Sequence, residues 1–479
     1  MTNDNTQTDP GLITRNASLP DQEICRRARL SRDPRFDGEF FLGVRSTGIY
    51  CRPICPARAA AEKNVIYFRY ASQAAEAGFR PCLRCRPEAA PGSPAWAGSE
   101  TSLQRAIMLI NAGALNDGSI ETLADRLGLG ARYLRKLFQR ELGISPIAMA
   151  QHQRLLFARQ LLAESSLGMT DIAFAAGYGS VRRFNSAIAA AYGKPPSALR
   201  RQQHSTGTGT GTGTVLILQY RPPYDWAGVI DFFHRHAIED IEEVSENHYR
   251  RQIYWQGQVG SITVTHLPQR HALQLLLDLP QITRLMPLVA RVRRMFDLDA
   301  NPAVIGMILE QTPALQPLVQ RFPGIRSPSN WSVQESCVRA IVGQQVSIVA
   351  ARTVCARLAK ACTDSPDFPD PAAIAALSDE HFAMPSRRRT SLRATCRLLA
   401  AKKPDDVLAA LADIPGIGPW TLNMVALRGL GSPDVFPHKD LGLIRAWQTL
   451  STQGQTLEQA SINWQPFRSY AANLLWRSL

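Results

Sequence analysis

At 479 residues the chain is too long for one hydrophobic core and implies three or four domains. A formal net charge of +14 and a pI near 9.6 point to a polyanionic partner. No apolar run approaches the roughly 18 residues of a membrane span, and the polar first 21 residues lack the apolar stretch of a secretory signal, so neither a membrane nor an export route is expected.

Residues 1–20 read as a disordered tail, and residues 21–96 as a first, small α+β domain that ends in the Pro/Ala/Gly-rich run 88–98. It carries Cys51-Arg-Pro-Ile-Cys55 and, 26 residues on, Cys82-Leu-Arg-Cys85. Two close cysteine pairs on separate turns are what tetrahedral Zn²⁺ needs, because each pair spans one edge of the tetrahedron. Cys51, Cys55, Cys82 and Cys85 are therefore the expected ligands of one Zn²⁺, and a purely structural role is the ordinary one for such a site. The remaining five of nine cysteines, Cys25, Cys337, Cys355, Cys362 and Cys396, suit small buried hydrophobes or inert surface thiols, and the whole pattern suits a reducing, cytoplasmic setting. Around the pairs, Asp37-Gly-Glu-Phe40, Val44-Arg-Ser-Thr-Gly-Ile-Tyr-Cys51-Arg-Pro53 and Ala77-Gly-Phe-Arg-Pro-Cys82 resemble the amino-terminal domain of the Ada regulators of the alkylation response. That resemblance implies that Cys51 accepts a methyl group from a DNA methylphosphotriester and that Arg58 and Arg80 contact phosphate. The family has a further Arg just after the second cysteine, where this chain has Pro56. Four thiolates on one Zn²⁺ carry a formal charge of −2, which keeps the sulfurs nucleophilic.

Residues 99–203 hold an internal repeat expected to be all-α. Helical runs flank Gly128-Leu-Gly130 and again Gly177-Tyr-Gly179, offset by 49 to 50 residues, and a bridging helix is expected over 155–162. Paired helix-turn-helix units of this kind resemble AraC-type regulators, which place two recognition helices in successive major grooves. Arg132, Arg135, Arg182, Arg183 and Asn185 are the candidate DNA contacts, with a solvated face as the plain alternative for each. The Gly/Thr repeat over 204–214 reads as a flexible tether of about 15–20 Å reach, which would leave the two halves of the chain independent.

Residues 215–322 mix strand-like alternation (215–220, 249–255, 260–266) with helical runs, and residues 323–479 are helical throughout. Two helical patterns meet at Ile414-Pro-Gly-Ile-Gly418. A hairpin bracketed by Gly416 and Gly418 lets backbone N–H groups approach a phosphate, and its carbonyls suit a monovalent cation; an ordinary αα-turn is the plain alternative. Asp440 follows about twenty residues later, at the start of a helical run, placed either as an N-cap or to face a flipped-out nucleotide.

These residues, with Tyr220-Arg-Pro-Pro-Tyr-Asp-Trp226, Val338-Arg-Ala-Ile-Val-Gly-Gln-Gln-Val-Ser347 and Trp464-Gln-Pro-Phe-Arg-Ser-Tyr470, resemble the AlkA-type 3-methyladenine glycosylases of the helix-hairpin-helix superfamily. The resemblance implies a TBP-like α+β domain ahead of an all-α glycosylase domain, with Asp440 stabilising the positive charge that develops on the sugar. It also implies that Trp420 and Trp476 form the aromatic pocket. Gln344 is expected to line that pocket, Met424 stands where the family has a pocket Tyr, and Gln345 stands where it has a wedge Leu. Trp420 fills the slot of the Schiff-base Lys of bifunctional relatives, no cysteine follows Cys396 to hold an iron–sulfur cluster, and no Pro-Cys-His-Arg motif of an O6-alkylguanine transferase occurs. A multidomain, mainly α protein is expected: a methylphosphotriester-activated transcription regulator fused to a monofunctional glycosylase for alkylated purines. Its expected partners are damaged and promoter double-stranded DNA and RNA polymerase. A regulator with an inactive glycosylase scaffold, and a repair enzyme without promoter activity, are the alternatives.

Overall fold

The computed structural model describes residues 19–85, 87, 102–200, 213–362, 366–401, 407–451 and 455–479. The expected tail up to residue 18 and the tether over 204–212 lie outside them.

The first sheet has the order β3-β1-β2-β4, with β1 Phe41–Val44, β2 Ile49–Cys51, β3 Val65–Phe68 and β4 Arg80–Pro81. β2 and β4 are parallel, Tyr50 opposite Pro81, so Cys51 and Cys82 leave the sheet at the same end. Strand alternation divides the side chains. Leu42 and Val44 join Cys25 and Ala28 of α1 (Gln22–Ser31) around the cysteine cluster, while Phe41 and Tyr50 pack with Ala71 and Ala74 of α2 (Ala71–Glu76) on the other face.

Next come α3 (Ser102–Asn111), α4 (Ala114–Asp117), α5 (Ile120–Arg126), α6 (Ala131–Leu142), α7 (Pro146–Glu164), α8 (Met169–Ala175), α9 (Val181–Tyr192) and α10 (Pro196–Leu199). The repeat is real: α5–α6 and α8–α9 are the two helix-turn-helix units, and α7 bridges them. Serines cap the helices that the pattern begins, Ser119, Ser145 and Ser180 each accepting a backbone N–H three residues on.

The third region is a five-stranded antiparallel sheet of order β5-β9-β8-β7-β6, made of β5 Thr214–Gln219, β6 Glu242–Val244, β7 His248–Trp255, β8 Gln258–Leu267 and β9 Ala272–Asp278. Helices α11 (Trp226–His236) and α12 (Leu285–Met295) share its core. β9 lacks the polar alternation by which the other long strands show in the sequence, because Leu276 shares a face with Gln274 and Asp278.

The rest is helical: α13 (Pro302–Leu309), α14 (Gln316–Arg321), α15 (Val333–Val342), α16 (Ile348–Ala361), α17 (Pro371–Ala376), α18 (Ser386–Ala401), α19 (Val407–Ala412), α20 (Pro419–Val425), α21 (Leu441–Leu450), α22 (Leu457–Ser461) and α23 (Arg468–Arg477). α13 and α14 share a core with α21–α23. A buried charge cluster ties the sheet to these helices: Arg251 of β7 pairs with Glu242, Glu335 and Asp367, and Arg339 of α15 with Glu242 and Glu335.

The expectation that a tether leaves the halves independent does not hold. One hydrophobic core runs from Phe157, Leu161, Phe184 and Ile188 of the helix-turn-helix region into Leu216, Leu218, Tyr249 and Leu275 of the sheet. α7 also covers the free edge of β5: the Ile217 carbonyl accepts from Gln160 Nε2 at 3.1 Å and its N–H donates to Glu164 at 3.2 Å, which closes an exposed strand edge. The cysteine domain docks as well. Arg52 is bonded to Asp37 and also donates to Gln219 at 2.6 Å. Arg221, fully buried, donates to the Asp37 carbonyl at 2.9 Å, to the Asp299 carbonyl at 2.7 Å, and pairs with Glu39 at 3.2 Å. Tyr50, beside Cys51, meets His152 of α7 at 3.2 Å, where burial pushes the imidazole down to about 4 and keeps it neutral.

Removing one member of a buried pair leaves an uncompensated charge and costs about 3–5 kcal/mol. In wild type, tryptophan fluorescence of the C-terminal half and zinc release from the N-terminal domain should follow one denaturation curve. Arg221→Met is expected to split it into two transitions; coincident curves in the variant would show that the dock carries no coupling.

Candidate functional site

Two sites emerge. In the first, the sulfurs of Cys51, Cys55, Cys82 and Cys85 all lie within 4.8 Å of one another. Backbone bonds set them there: Cys55 N–H to Arg52 O at 3.1 Å and Cys82 N–H to Tyr50 O at 3.0 Å. The Arg52 N–H donates to Cys85 Sγ at 3.3 Å, which favours a thiolate. Hydrogen bonding with Cys55, then Cys82 and burial, pushes the Cys51 thiol up, while hydrogen bonding with Cys51 holds Cys55 down at about 7. A compact set of four soft donors with no carboxylate among them fits Zn²⁺, around which all four would be thiolates. Arg58 and Arg80, near the cysteines in sequence, are exposed, and so, on α6 and α9, are Arg132, Arg135, Arg182, Arg183 and Asn185. Arg135 is paired with Glu121 at 2.9 Å, an exposed contact that solvent screens and a phosphate can displace. The other five cysteines are all buried, as small hydrophobes.

The second site is a cavity of about 1330 Å³ lined by Asp440, Trp420, Trp476, Met424 and Gln344, with Gln345 at its edge. Asp440 is the N-cap of α21, accepting from Leu443 N–H at 3.1 Å, and it also faces the cavity. Its two oxygens also accept the indole N–H groups of Trp476 and Trp420, each at 3.0 Å. A carboxylate that accepts from three N–H donors is fixed in orientation. Trp476 lies so close to the start of α21 that a Cβ on Gly442 would meet its ring at 3.3 Å, a tight contact that a side chain there would press on.

The hairpin between α19 and α20 is as expected, with Gly416 at φ +89°. A Cβ there would strike Ser391 Oγ at 2.4 Å, whereas Gly418 has extended backbone and open space beside it. Ser391 Oγ donates to Pro415 O at 2.5 Å and Gln344 Nε2 to Gly416 O at 3.0 Å, so a monovalent cation here would share those oxygens with protein donors. Gln344 also bonds Thr421 at 2.9 Å and so braces the hairpin as well as lining the cavity. Gln345 sits at φ +56°, exposed with Val346, Ile348 and Val349, an apolar rim such as base-step wedges use. Among the described residues Arg352, Arg387, Arg388, Lys439 and Arg445 border the cavity with no ion pair, a cationic rim of the kind that attracts phosphates.

Three cavity residues escaped the sequence reading. Asp225 N-caps α11 and sits 3.6 Å from Arg477; Phe232 and the buried Arg428 form part of the wall. The Tyr220–Trp226 motif brackets Asp225, but no spacing rule links either Phe232 or Arg428 to Asp440.

Four families match in order along the chain: metal binding domain of Ada over 24–88, helix-turn-helix domain over 123–202, AlkA N-terminal domain over 215–332, and HhH-GPD superfamily base excision DNA repair protein over 338–462. The chain is 37% identical over 483 residues to the "Probable bifunctional transcriptional activator/DNA repair enzyme AlkA" of Mycobacterium tuberculosis, covering 96% of this chain and 97% of that protein. It is 30% identical to DNA-3-methyladenine glycosylase 2 of Escherichia coli, over 54% of this chain and 95% of the relative. It is 39% identical to the bifunctional transcriptional activator/DNA repair enzyme Ada of Escherichia coli, over 30% of this chain and 39% of the relative. Among the described residues no helix is long and apolar enough to cross a membrane.

Proposed function

Because the chain belongs to the family of bifunctional transcriptional activator/DNA repair enzymes that join an Ada-type to an AlkA-type half, we propose that it senses DNA methylphosphotriesters through Cys51 and excises alkylated purines, 3-methyladenine among them, at Asp440. The observation that carries this reading is the pairing in one chain of a closed four-cysteine cluster with a carboxylate suspended between two indoles in an open, cation-rimmed cavity.

In the glycosylase half, the hairpin amides near Gly416 and Gly418 grip the backbone without reading sequence, and the damaged nucleotide turns into the cavity. Trp420 and Trp476 stack on an electron-poor, alkylated ring. The C1′–N bond breaks with its electron pair leaving on the purine, and the carboxylate of Asp440 stabilises the positive sugar. Water then adds at C1′ and loses a proton, giving an abasic site and a free base. In the sensor half, Zn²⁺ when bound keeps the four sulfurs as thiolates. Cys51 Sγ attacks the methyl carbon; the S–CH₃ bond forms, the CH₃–O bond breaks, and the electron pair stays on oxygen, leaving a phosphodiester anion. Arg58 and Arg80 hold the phosphate, and the exposed faces of α6 and α9 read the promoter. We assign RNA polymerase as the partner that a DNA-bound activator recruits, and the nucleoid as the place of work.

Incubation of the full chain with methylated DNA tests both halves at once: free methylated purine in solution and a 14 Da gain on the peptide holding Cys51, one methyl replacing one hydrogen, are expected. Absence of free base would leave a regulator on an inactive scaffold; absence of the modified peptide would leave a repair enzyme alone.

The chain is monofunctional on this reading, because Trp420 occupies the position after the hairpin and Lys439 is the one lysine on the cavity wall among the described residues. Borohydride added to a reaction on abasic DNA should trap no covalent adduct. An adduct on Lys439 would make the enzyme a lyase as well.

A further inference from the structure

Arg428 is a buried cation without a buried anion. It lies in a π-helical turn, Ala426–Leu430, the kind of irregularity that recurs at functional sites, and only 8% of it is exposed. Among the described residues it forms no salt bridge. Its guanidinium donates to Pro328 O at 2.7 Å and Asn473 Oδ1 at 2.8 Å. One face lies 4.3 Å from the ring centre of Phe232, and the ring centre of Trp476 is 5.2 Å away. Burial pushes it down to about 9, with the charge of Asp440 pulling the other way. Such a group is expensive to bury and a poor device for stability, so its place on the cavity wall asks for another explanation.

Its contacts supply one. Trp476 donates to Asp440 Oδ1 at 3.0 Å, its ring packed against the helical core and close to Gly442. Arg428 adds a polar restraint to that packing. Asn473, one helical turn before Trp476 on α23, grips the guanidinium and is itself pinned by bonds to Ser327 Oγ at 3.1 Å and Ser469 O at 2.7 Å. The same guanidinium then lies against the Trp476 ring. A cation near the π system draws electron density from the indole and so strengthens its N–H as a donor to the carboxylate. Phe232, on α11 of the sheet region, also lies over the guanidinium, so three separate segments meet at it.

We propose that Arg428 is the positioning residue of the glycosylase: through Trp476 it holds the carboxylate of Asp440 where the positive sugar forms. This rests on Asp440 as the charge-stabilising group. A planar, bidentate, stacking cation is required, which lysine does not supply.

The test uses the full chain and compares Arg428→Lys with wild type and with Asp440→Asn. Two binding probes are used: duplex DNA with a neutral tetrahydrofuran abasic analogue, and duplex DNA with a cationic pyrrolidine analogue. Lysine lacks the planar fork and burial favours its neutral form, so Asn473→Ala, which keeps the guanidinium, is the variant that reads geometry alone. Arg428→Lys is expected to lower the single-turnover rate of base release by at least about 30-fold, as small misplacements at a reacting centre do. Affinity for the tetrahydrofuran duplex should stay within about threefold, while the preference for the cationic analogue falls about tenfold, or about 1.4 kcal/mol. Asn473→Ala, which frees the guanidinium without altering it, should show the same pattern more weakly, and the double variant should be no worse than Arg428→Lys alone. If Arg428→Lys folds poorly, Asn473→Ala alone decides. Equal loss of binding to both analogues would make the role structural and overturn the proposal, as would a release rate within threefold of wild type. Wild-type activity in Asp440→Asn would instead overturn the catalytic reading on which it rests.

Discussion

Asp440→Asn is expected to reduce release of alkylated purines by at least about 100- to 1,000-fold, the cost of removing one preorganised charge-stabilising group. The geometry explains why an isosteric change does so much. Each carboxylate oxygen accepts an indole N–H at 3.0 Å, one from Trp420 and one from Trp476, and Oδ1 also caps α21 through Leu443. An amide has one oxygen to offer three donors and turns its NH₂ toward an indole N–H. The variant therefore loses the negative charge and one indole contact together. The hairpin and the cationic rim are untouched, so affinity for undamaged DNA should stay within about threefold, since backbone contacts set it. Helix α21 should survive, because Asn caps as well as Asp. Single-turnover base release and filter binding on the same preparation read both quantities. Activity within tenfold of wild type would remove Asp440 from the chemistry.

Methylation of Cys51 is expected to tighten operator binding by about ten- to several-hundred-fold. The thiolate becomes a thioether, and the cysteine cluster loses one negative charge where it must approach phosphate. One unit charge within about 4–6 Å of another is worth roughly 1–4 kcal/mol, depending on effective dielectric, which gives that range of affinity. The docked arrangement adds a route for the change to spread, because neighbours of Cys51 on both sides contact other regions: Tyr50 meets His152 on the helix that bridges both helix-turn-helix units, and Arg52 meets Gln219. Most of the gain should vanish at high salt, as electrostatic binding does. Operator titrations before and after stoichiometric methylation, at 50 and 300 mM salt, measure it; equal affinities at low salt would sink the switch. Cys51→Ser should be non-inducible. Its base release is a separate measurement, because the halves share a core and a defect at the dock is free to reach the cavity.

The cysteine cluster was legible because metal ligation imposes short, fixed spacings: Cys51 and Cys55, Cys82 and Cys85 are each close along the chain, and only the closure of the two pairs needed the β2–β4 pairing. The helix-turn-helix repeat was legible because each turn and cap is a local device within a few residues, as at Ser119 and Ser180. The hairpin and Asp440 were legible for the same reason, since Gly416 answers a local backbone requirement and Asp440 begins a helix. β9 was not legible, because Leu276 stands on the same face as Gln274 and Asp278 and breaks the period-two hydrophobic signal that Leu273, Leu275 and Leu277 would give.

Local patterns in the sequence by themselves determined which chemistries this chain carries: four sulfurs for a metal, two helices for operator DNA, a hairpin and a carboxylate for a damaged nucleotide. Tertiary structure alone decided how they are joined. Arg221 reaches Asp37 across 184 residues, Arg428 reaches Pro328 across 100, and Asn301 reaches Glu39 across 262. Such contacts leave no period or spacing in the sequence, since a guanidinium buried against distant carbonyls has the same local signature as one in water, and only the packing of the folded chain desolvates it and gives it partners.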